Sequence, residues 1–160
     1  MNVLKPTRVI HTGVQYLDGT PARVFPLYCP VRTTEWIDGW DPVRVYTDSG
    51  LVERDCTFIT REDGQDSVWT VTFHDPDACH LELVKVTPGV AVCRIEILVL
   101  PVDETRARAS VTCAHTSLGP PGDALLAGLT EAHYERRMRT WETSINHYLR
   151  TGTCLAAPVG

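Results

Sequence analysis

Residues 80–100, HLELVKVTPGVAVCRIEILVL, contain two runs of alternating apolar residues separated by Thr-Pro-Gly. An alternation of period two is typical of a strand with one buried face, and Pro88-Gly89 is a turn signal. The stretch therefore predicts an antiparallel hairpin, and it places the chain among folds built on an antiparallel sheet.

The faces of this hairpin follow from the length of its turn. With a tight turn at Pro88-Gly89, we expect Val84 and Val86 to share a face and to lie opposite Cys93 and Ala91. The same face is extended by Ile95, Ile97 and Val99.

The next segment, RARASVTCAHT at 106–116, has the clearest strand alternation in the chain. Its small and apolar residues alternate with polar ones, as in a half-buried antiparallel strand. The residues predicted to face inward are Ala107, Ala109, Val111, Cys113 and His115.

A helix is predicted after this strand. The segment SLGPPGD at 117–123 breaks the sheet, Gly122 or Asp123 caps one long helix that runs to about Arg150, and Thr151-Gly152 ends it. Its apolar stripe has three- and four-residue spacings. The stripe consists of Leu126, Leu129, Tyr134, Met138, Trp141, Ile145, Tyr148 and Leu149.

The part of the chain before the hairpin is also strand-rich from residue 41 onward. Segments 43–49, 56–61 and 67–75 are rich in β-branched and aromatic residues, and EDGQD at 62–66 connects the last two as a hairpin. In 67–75 the alternating residues Trp69, Val71 and Phe73 are predicted to face inward, opposite the aromatic residues of the helix.

The first strand is predicted at Thr7–Leu17. Ile10, Val14 and Tyr16 share one parity and are assigned to the buried face, which leaves His11 on the solvent side. Thr20 and Pro21 then begin a helix. Because Pro26 and Pro30 interrupt it, we expect two short helices at about 21–27 and 30–36.

The resulting order is one strand, two short helices, six strands and one long helix. This predicts an α+β fold in which a curved, seven-stranded antiparallel sheet wraps around the C-terminal helix, as a single domain over 1–160 with its core at 7–150. A bent sheet and a straight helix diverge, so the gap between them is expected to form an apolar pocket.

From Thr7 to Arg150 the chain resembles the START-like or Bet v 1-like superfamily, also called the polyketide cyclase/SRPBCC superfamily. The stretches that carry the resemblance are TPARVFPLYCPVRTTEWIDGW at 20–40, VKVTPGVAVCRIEI at 84–97 and INHYLRTG at 145–152. They are most similar to a prokaryotic branch with no assigned reaction.

The resemblance implies the helix-grip fold and a cavity that holds a hydrophobic molecule such as a lipid, a sterol or a polyketide. Some members cyclise or aromatise their ligand, and others activate chaperones. The iron-binding branch uses two histidines and a carboxylate, but His74 and His80 lie on either side of a turn, and no such triad can be assigned here.

Composition excludes several other classes. The net charge of −5 argues against a general nucleic-acid binder, and no stretch approaches the ~18 apolar residues of a membrane span. We expect a cytoplasmic protein without metal or cofactor. The six cysteines form no ligand pattern, which favours free thiols in a reducing compartment over a disulfide.

Each of three candidate residues can be interpreted in two ways. Trp36, beside Arg32 and Glu35, either lines the cavity mouth or plugs the end of the fold. Glu82 is either a desolvated acid with a raised pKa in the cavity wall, or an exposed acid paired with Arg94. His115 is either a ligand-facing group or a hydrogen-bonded core residue.

We therefore predict a protein that binds a small hydrophobic ligand without assigned chemistry. The alternatives are a metal-free cyclase, aromatase or isomerase that acts by proton transfer, and a chaperone-activator-like module. The predicted ligand-binding residues are Trp36, Trp69, Phe73, Glu82, Val84, Ile95, Val111, His115, Tyr134 and Trp141. No residue is assigned a catalytic role, and the oligomeric state stays open.

Overall fold

The computed structural model describes residues 1–156. Its strands are β1 (Arg8–Leu17), β2 (Arg44–Tyr46), β3 (Thr57–Glu62), β4 (Gln65–Asp75), β5 (His80–Thr87), β6 (Ala91–Pro101) and β7 (Ala107–Ser117). Its helices are α1 (Pro21–Val24), α2 (Pro120–Gly128) and α3 (Glu131–Thr151), with 3₁₀ turns at Phe25–Tyr28 and Arg32–Glu35.

All seven strands form one antiparallel sheet in the order β1-β7-β6-β5-β4-β3-β2. Strands β2 to β6 each pair with the next strand in the chain, and β1 adds to the free edge of β7. The sheet curves around α3. The predicted α+β architecture, with its seven strands and its short helices after the first strand, is therefore confirmed.

The prolines divide the first helical region as predicted. Pro21 stands in the first turn of α1, and Pro26 is the second residue of the 3₁₀ turn that follows it. The second 3₁₀ turn begins two residues after Pro30. A proline has no amide hydrogen and clashes with the preceding turn, so a continuous helix cannot pass through these positions.

The prediction of one long C-terminal helix from residue 122 or 123 is wrong in one respect, because the structure has two helices in this segment. α2 ends at Gly128, and Thr130 caps α3 by accepting a hydrogen bond from the His133 amide at 3.2 Å. His11 of β1 contacts the carbonyl of Leu129 through Nε2 at 2.7 Å, so a residue from a distant strand stabilises the junction between α2 and α3. α3 ends at Gly152, whose φ of 69° is the left-handed helix cap that was predicted.

The predicted register of the β5–β6 hairpin is off by one residue. The connection contains Pro88, Gly89 and Val90, so Val84 lies opposite Arg94 and Lys85 lies opposite Cys93. Because strand side chains alternate, this shift moves Val84 and Val86 to the outer face and Lys85 to the inner face. The carbonyl of Val90 accepts the amide of Leu118 at 2.8 Å, a contact that holds the extra residue in place.

The buried face of β1 is also the opposite of the predicted one. Ile10 and Tyr16 are each 59% exposed, whereas Gln15 and Leu17 are fully buried. The inner face carries Gly13, and a Cβ atom there would lie only 2.3 Å from Cγ of Met138 on α3. The missing side chain therefore allows α3 to pack directly onto this face of β1.

Hydrogen bonds from α3 keep the helix close to β1 along its length. The amide of Tyr16 donates to Glu142 Oε2 at 2.7 Å, and the Asn146 side chain bonds the backbone of Tyr16 and Asp18 at 3.0 and 2.8 Å. The helix is thus fixed to the edge strand β1. The groove between α3 and strands β3 to β6 contains the spaces described below.

Two further features concern the described residues. Five of the six cysteines are buried free thiols, and Cys154 is exposed. Among the helices of residues 1–156, none combines the length and the apolar character that crossing a bilayer requires.

Candidate functional site

A small chamber of about 100 Å³, which we call the inner chamber, lies between the sheet and α3. Its walls combine apolar residues of β3 to β7 with residues of the first helical region and with Met138 of α3. The aromatic side chains that line it are Tyr28, Trp36, Trp40, Phe58, Trp69 and Trp141.

These aromatic rings pack against one another rather than standing singly. Phe58 stacks on Trp69 at 5.2 Å between ring centres, Trp40 meets Trp69 edge to face at 6.0 Å, and Trp36 meets Trp141 in the same way at 5.7 Å. Edge-to-face and offset stacks are the preferred geometries of aromatic pairs. Contacts between the rings therefore fix the positions of the walls without a ligand.

The indole N–H groups of three of these tryptophans already have acceptors in the protein. Trp36 donates to the carbonyl of Leu27 at 2.7 Å and Trp40 to that of Pro30 at 2.8 Å. Trp69 donates to the hydroxyl of Thr60 at 2.8 Å. Because their donors are engaged, these rings offer the inner chamber only apolar surface.

A second, wetter space of about 470 Å³, the outer basin, adjoins the inner chamber. It lies between the β3–β4 turn, the β5–β6 hairpin and the α2–α3 junction. Four residues line both spaces, and we call them the collar: Lys85, Cys93, His115 and Arg137.

The two cations of the collar lie over rings of the inner chamber. Nζ of Lys85 is 4.9 Å from the centre of the Trp69 ring, and the guanidinium carbon of Arg137 is 5.1 Å from that of Trp141. A cation over the face of an indole is attracted by the negative charge of the ring surface. Lys85 also lies 3.6 Å from Glu62, whose side chain is 72% exposed.

His115 is the neutral member of the collar. Burial, followed by electrostatic effects of Arg137, Lys85 and His11, lowers its pKa to about 4, so the imidazole of His115 is uncharged at neutral pH. Its Nδ1 atom is buried and has no hydrogen-bond partner within residues 1–156. A buried polar atom without a partner in a native structure calls for an explanation, such as a ligand or a water molecule.

Cys93 and Cys113 lie on the inner faces of β6 and β7 and line the inner chamber. The interaction between the two thiols raises the pKa of Cys93 and lowers that of Cys113. The Tyr134 hydroxyl, which donates to the carbonyl of Val111 at 2.8 Å, also lies 3.5 Å from Cys113 Sγ. Cys113 is therefore the member of the pair on which a thiolate is better stabilised.

The structure brings five of the ten predicted ligand-binding residues to the inner chamber. They are Trp36, Trp69, Ile95, His115 and Trp141. Val111 and Tyr134 are buried in the core, but neither lines the chamber. Trp36 is 1% exposed, so it forms an inner wall of the chamber rather than a mouth.

The other three predicted residues, Phe73, Glu82 and Val84, lie on the outer face of the sheet. For Glu82 and Val84 the cause is the register shift in the β5–β6 hairpin. For Phe73 it is a bulge between Val71 and Phe73, which reverses the alternation so that Phe73 is 43% exposed.

The environment of Glu82 contradicts the idea of a desolvated acid. Its carboxylate accepts hydrogen bonds from Thr72 and from Arg94, each at 2.9 Å. These two bonds lower the pKa of Glu82, which is the opposite of the rise expected in an apolar wall. The alternative interpretation, an acid paired with Arg94, is the one the structure shows.

Arg32 and Glu35 do not line the inner chamber. They form a two-pronged ion pair with both N···O distances at 3.0 Å, and Glu35 also accepts the hydroxyl of Tyr148 near the end of α3. The hydrogen bond from Arg32 lowers the pKa of Glu35. This cluster attaches the first helical region to α3.

Sequence reasoning missed Lys85 and Arg137, although both line the two spaces. The predicted turn is one residue too short and turns Val84 and Val86 inward, so it gives no inward position to Lys85 between them. Arg137 belongs to the basic run ERRMR at 135–139, which is typical of a solvated helix face. Arg137 stands at the edge of the buried stripe, next to Met138. This position was the signal in the sequence that could have placed Arg137 near the cavity.

No group of three or more histidine, cysteine, aspartate or glutamate side chains within residues 1–156 is arranged to hold a metal ion. In particular, His74 stacks on Phe25 at 5.7 Å, while His80 contacts Glu96 at 3.0 Å. The two histidines that flank the β4–β5 turn therefore have separate partners.

Solved structures with the same architecture exist for several proteins. Norcoclaurine synthase from Thalictrum flavum, in complex with dopamine and hydroxybenzaldehyde, superposes with a TM-score of 0.67 at 8% identity, over 91% of this chain and 88% of that chain. Ara h 8.0201 gives a TM-score of 0.63 at 10% identity, over 91% and 99%. The chain adopts the Bet v 1-like, helix-grip fold.

DynU16, from the dynemicin biosynthetic locus, shares this helix-grip fold with a TM-score of 0.59 at 15% identity. The match covers 90% of this chain and 48% of DynU16, so this chain spans about half of that protein. No family model and no curated protein sequence matches the chain. At these identities the similarity describes the helix-grip fold and not the activity.

Proposed function

We propose that this protein binds a small hydrophobic molecule between the sheet and α3, with the apolar part of the ligand in the inner chamber. The observation that carries the proposal is the inner chamber itself, an apolar space whose aromatic walls are braced and whose indole donors are engaged. Such a wall binds a flat or chain-like apolar group through dispersion and exclusion of water.

The size of the site supports the same proposal. The inner chamber of about 100 Å³ holds only part of a ligand, and the adjoining outer basin of about 470 Å³ has room for the remainder. Ligand pockets of roughly 300–1,000 Å³ are typical for small molecules. A helix-grip protein solved with dopamine and hydroxybenzaldehyde shows that this fold accommodates small aromatic compounds.

The test uses N-phenylnaphthylamine (NPN), an uncharged fluorescent probe that brightens in apolar surroundings. Ile95→Phe enlarges a chamber wall, and Val92→Phe makes a comparable change on the outer face of the same strand. We expect NPN to bind the wild type and Val92→Phe alike, and to bind Ile95→Phe at least about tenfold more weakly, which corresponds to about 1.4 kcal/mol.

Two further measurements make this test decisive. Circular dichroism of each variant checks that the sheet is retained. Energy transfer from tryptophan to NPN checks that the probe lies beside the aromatic walls. Equal NPN affinity for the two phenylalanine variants, with both folded, would contradict binding in the inner chamber.

An enzyme that acts by proton transfer is the second candidate. The collar favours it, because Lys85, His115 and Arg137 line the same junction and a reaction of this class needs at least two polar groups near one bound atom. The low pKa of His115 makes it a weak base, and none of its hydrogen bonds within residues 1–156 links it to another collar group. Binding is therefore the function that the geometry supports best.

A further inference from the structure

The collar combines two positive charges and a neutral imidazole at the junction of an apolar chamber and a wet basin. Lys85 projects from β5 and Arg137 from α3, so the cations approach this junction from opposite walls. Both are held over indole rings of the inner chamber. In a chain with a net charge of −5, this is a local excess of positive charge beside an apolar cavity.

The negative groups near the collar compensate it only in part. Glu62 lies 3.6 Å from Lys85, but its side chain is 72% exposed, and an ion pair in contact with water is weak. Asp63 also lines the outer basin, beside Glu62. No carboxylate of residues 1–156 lies within 4.0 Å of the Arg137 guanidinium, which lies over the Trp141 ring.

His115 adds a hydrogen-bonding atom without adding charge. Since the ring is neutral at pH 7, one of its nitrogens carries a hydrogen, and the buried Nδ1 has no partner among the described residues. A ligand oxygen at the collar would accept a hydrogen bond from this ring and lie near the two cations. A carboxylate or another oxyanion provides such oxygens.

We propose that the ligand is an amphipathic anion, whose apolar part occupies the inner chamber and whose carboxylate or similar oxyanion is bound at the collar by Lys85, Arg137 and His115. This inference rests on the proposed function, and it adds the chemical class of the ligand and its orientation. The negative end lies toward the outer basin and the apolar end lies toward Trp36.

The test compares two probes that share one skeleton. Anilinonaphthalenesulfonate (ANS) carries a sulfonate on the phenylnaphthylamine framework, and NPN lacks it. At low salt we expect the wild type to bind ANS about tenfold more tightly than NPN. The reason is that the sulfonate of ANS would accept charge-assisted hydrogen bonds at the collar, and NPN has no group that can do so. The ratio of the two affinities isolates the contribution of the anionic group.

Arg137→Gln and its neighbour Arg136→Gln form a matched pair of variants. Each removes one positive charge from the exposed surface of α3, but Arg136 lines neither space. We expect Arg137→Gln to lower the ANS-to-NPN affinity ratio about tenfold and Arg136→Gln to change it less than about twofold. Glu62→Gln should raise the ANS-to-NPN affinity ratio, because it removes the carboxylate that is paired with Lys85.

The outcomes separate the two proposals. Equal affinity for ANS and NPN, or equal effects of the two arginine variants, would overturn the anionic ligand while leaving the binding function intact. If Ile95→Phe changes the affinity of neither probe, the proposed function itself fails. A lowered ratio in Arg137→Gln together with a raised ratio in Glu62→Gln supports the anion site.

Discussion

At the end of α3 that carries Ile145, side chains fill the space between helix and sheet, whereas at the end that carries Arg137 this space contains the inner chamber and the outer basin. At the filled end Leu17, Val24 and Ile145 are each fully buried. At the open end Ile95 and Trp141 are only partly buried although they are large and apolar.

The two ends also differ in how their polar groups are satisfied. At the filled end the Asn146 side chain bonds the backbone of Tyr16 and Asp18 at 3.0 and 2.8 Å, and the hydroxyl of Tyr148 donates to Glu35. At the open end, Nδ1 of His115 has no partner within the described chain. Polar groups are thus paired at the filled end, and the collar is formed where packing and hydrogen bonding are left incomplete.

The largest effect is expected from Ile145→Ala at the filled end. Removing a fully buried isoleucine side chain should lower the free energy of unfolding by about 2–5 kcal/mol. Ile95→Ala, at the wall of the inner chamber, should cost about half as much or less, because that side chain already borders a void. Urea unfolding measures both, and equal losses would remove the distinction between the two ends.

Tyr28→Phe should have the next largest effect. It leaves the buried side-chain oxygen of Gln15 without its donor, which costs about 1–3 kcal/mol of unfolding free energy. Tyr46→Phe, at an exposed tyrosine, is the control and should stay within about 0.5 kcal/mol of the wild type. A Tyr28→Phe protein as stable as this control would show that this wall of the inner chamber does not depend on the hydrogen bond between Tyr28 and Gln15.

At the open end, acid should reveal the neutral state of His115. Its pKa is lowered from 6.5 to about 4, so between these values the unfolded chain binds the proton before the folded protein does. Stability therefore falls as the pH drops from 6.5 toward 4. The groups that act on the ring are Arg137, Lys85 and His11, with Cys93 opposite it on β6.

His115→Gln should remove this loss. Between pH 7.5 and pH 5, the free energy of unfolding of the wild type should fall by roughly 1 kcal/mol more than that of the variant. This value allows for solvent screening at the exposed part of the His115 ring. Thermal unfolding at both pH values measures it, and His147→Gln is the control that keeps the wild-type profile. Parallel pH profiles for His115→Gln and the wild type would show that His115 does not titrate as described.

The smallest effects concern the ion pairs at the two ends. Arg32→Met breaks a two-pronged, partly buried pair with Glu35 and should cost up to about 1 kcal/mol. Lys85→Met breaks a longer pair with the exposed Glu62 and should cost less than about 0.5 kcal/mol. Chemical unfolding at low and high salt compares them, and a larger loss for Lys85→Met would mean that Lys85 stabilises the fold rather than serving the collar.

Much of the fold was predictable because its signals are local. Alternation, or a high content of β-branched and aromatic residues, marked all seven strands, and the prolines at 21, 26 and 30 marked the short helices. The helix break at Leu129 was missed, because its determinants include a contact with His11 more than a hundred residues away. The site was only partly predictable, because strand faces depend on register, and register depends on single residues in turns and bulges.

The order of the elements, the antiparallel sheet and the amphipathic helix follow from the amino-acid sequence alone, because a period of two or of about 3.6 residues can be recognised from neighbouring positions. Which strand faces enclose the cavity depends on contacts between distant segments of the folded chain. The bond between Leu118 and Val90 accompanies the turn length that moves Lys85 inward, and Gly13 admits α3 to the unexpected face of β1. A shift of one residue in a strand preserves its pattern but reverses its faces, so the collar exists only once distant segments have packed together.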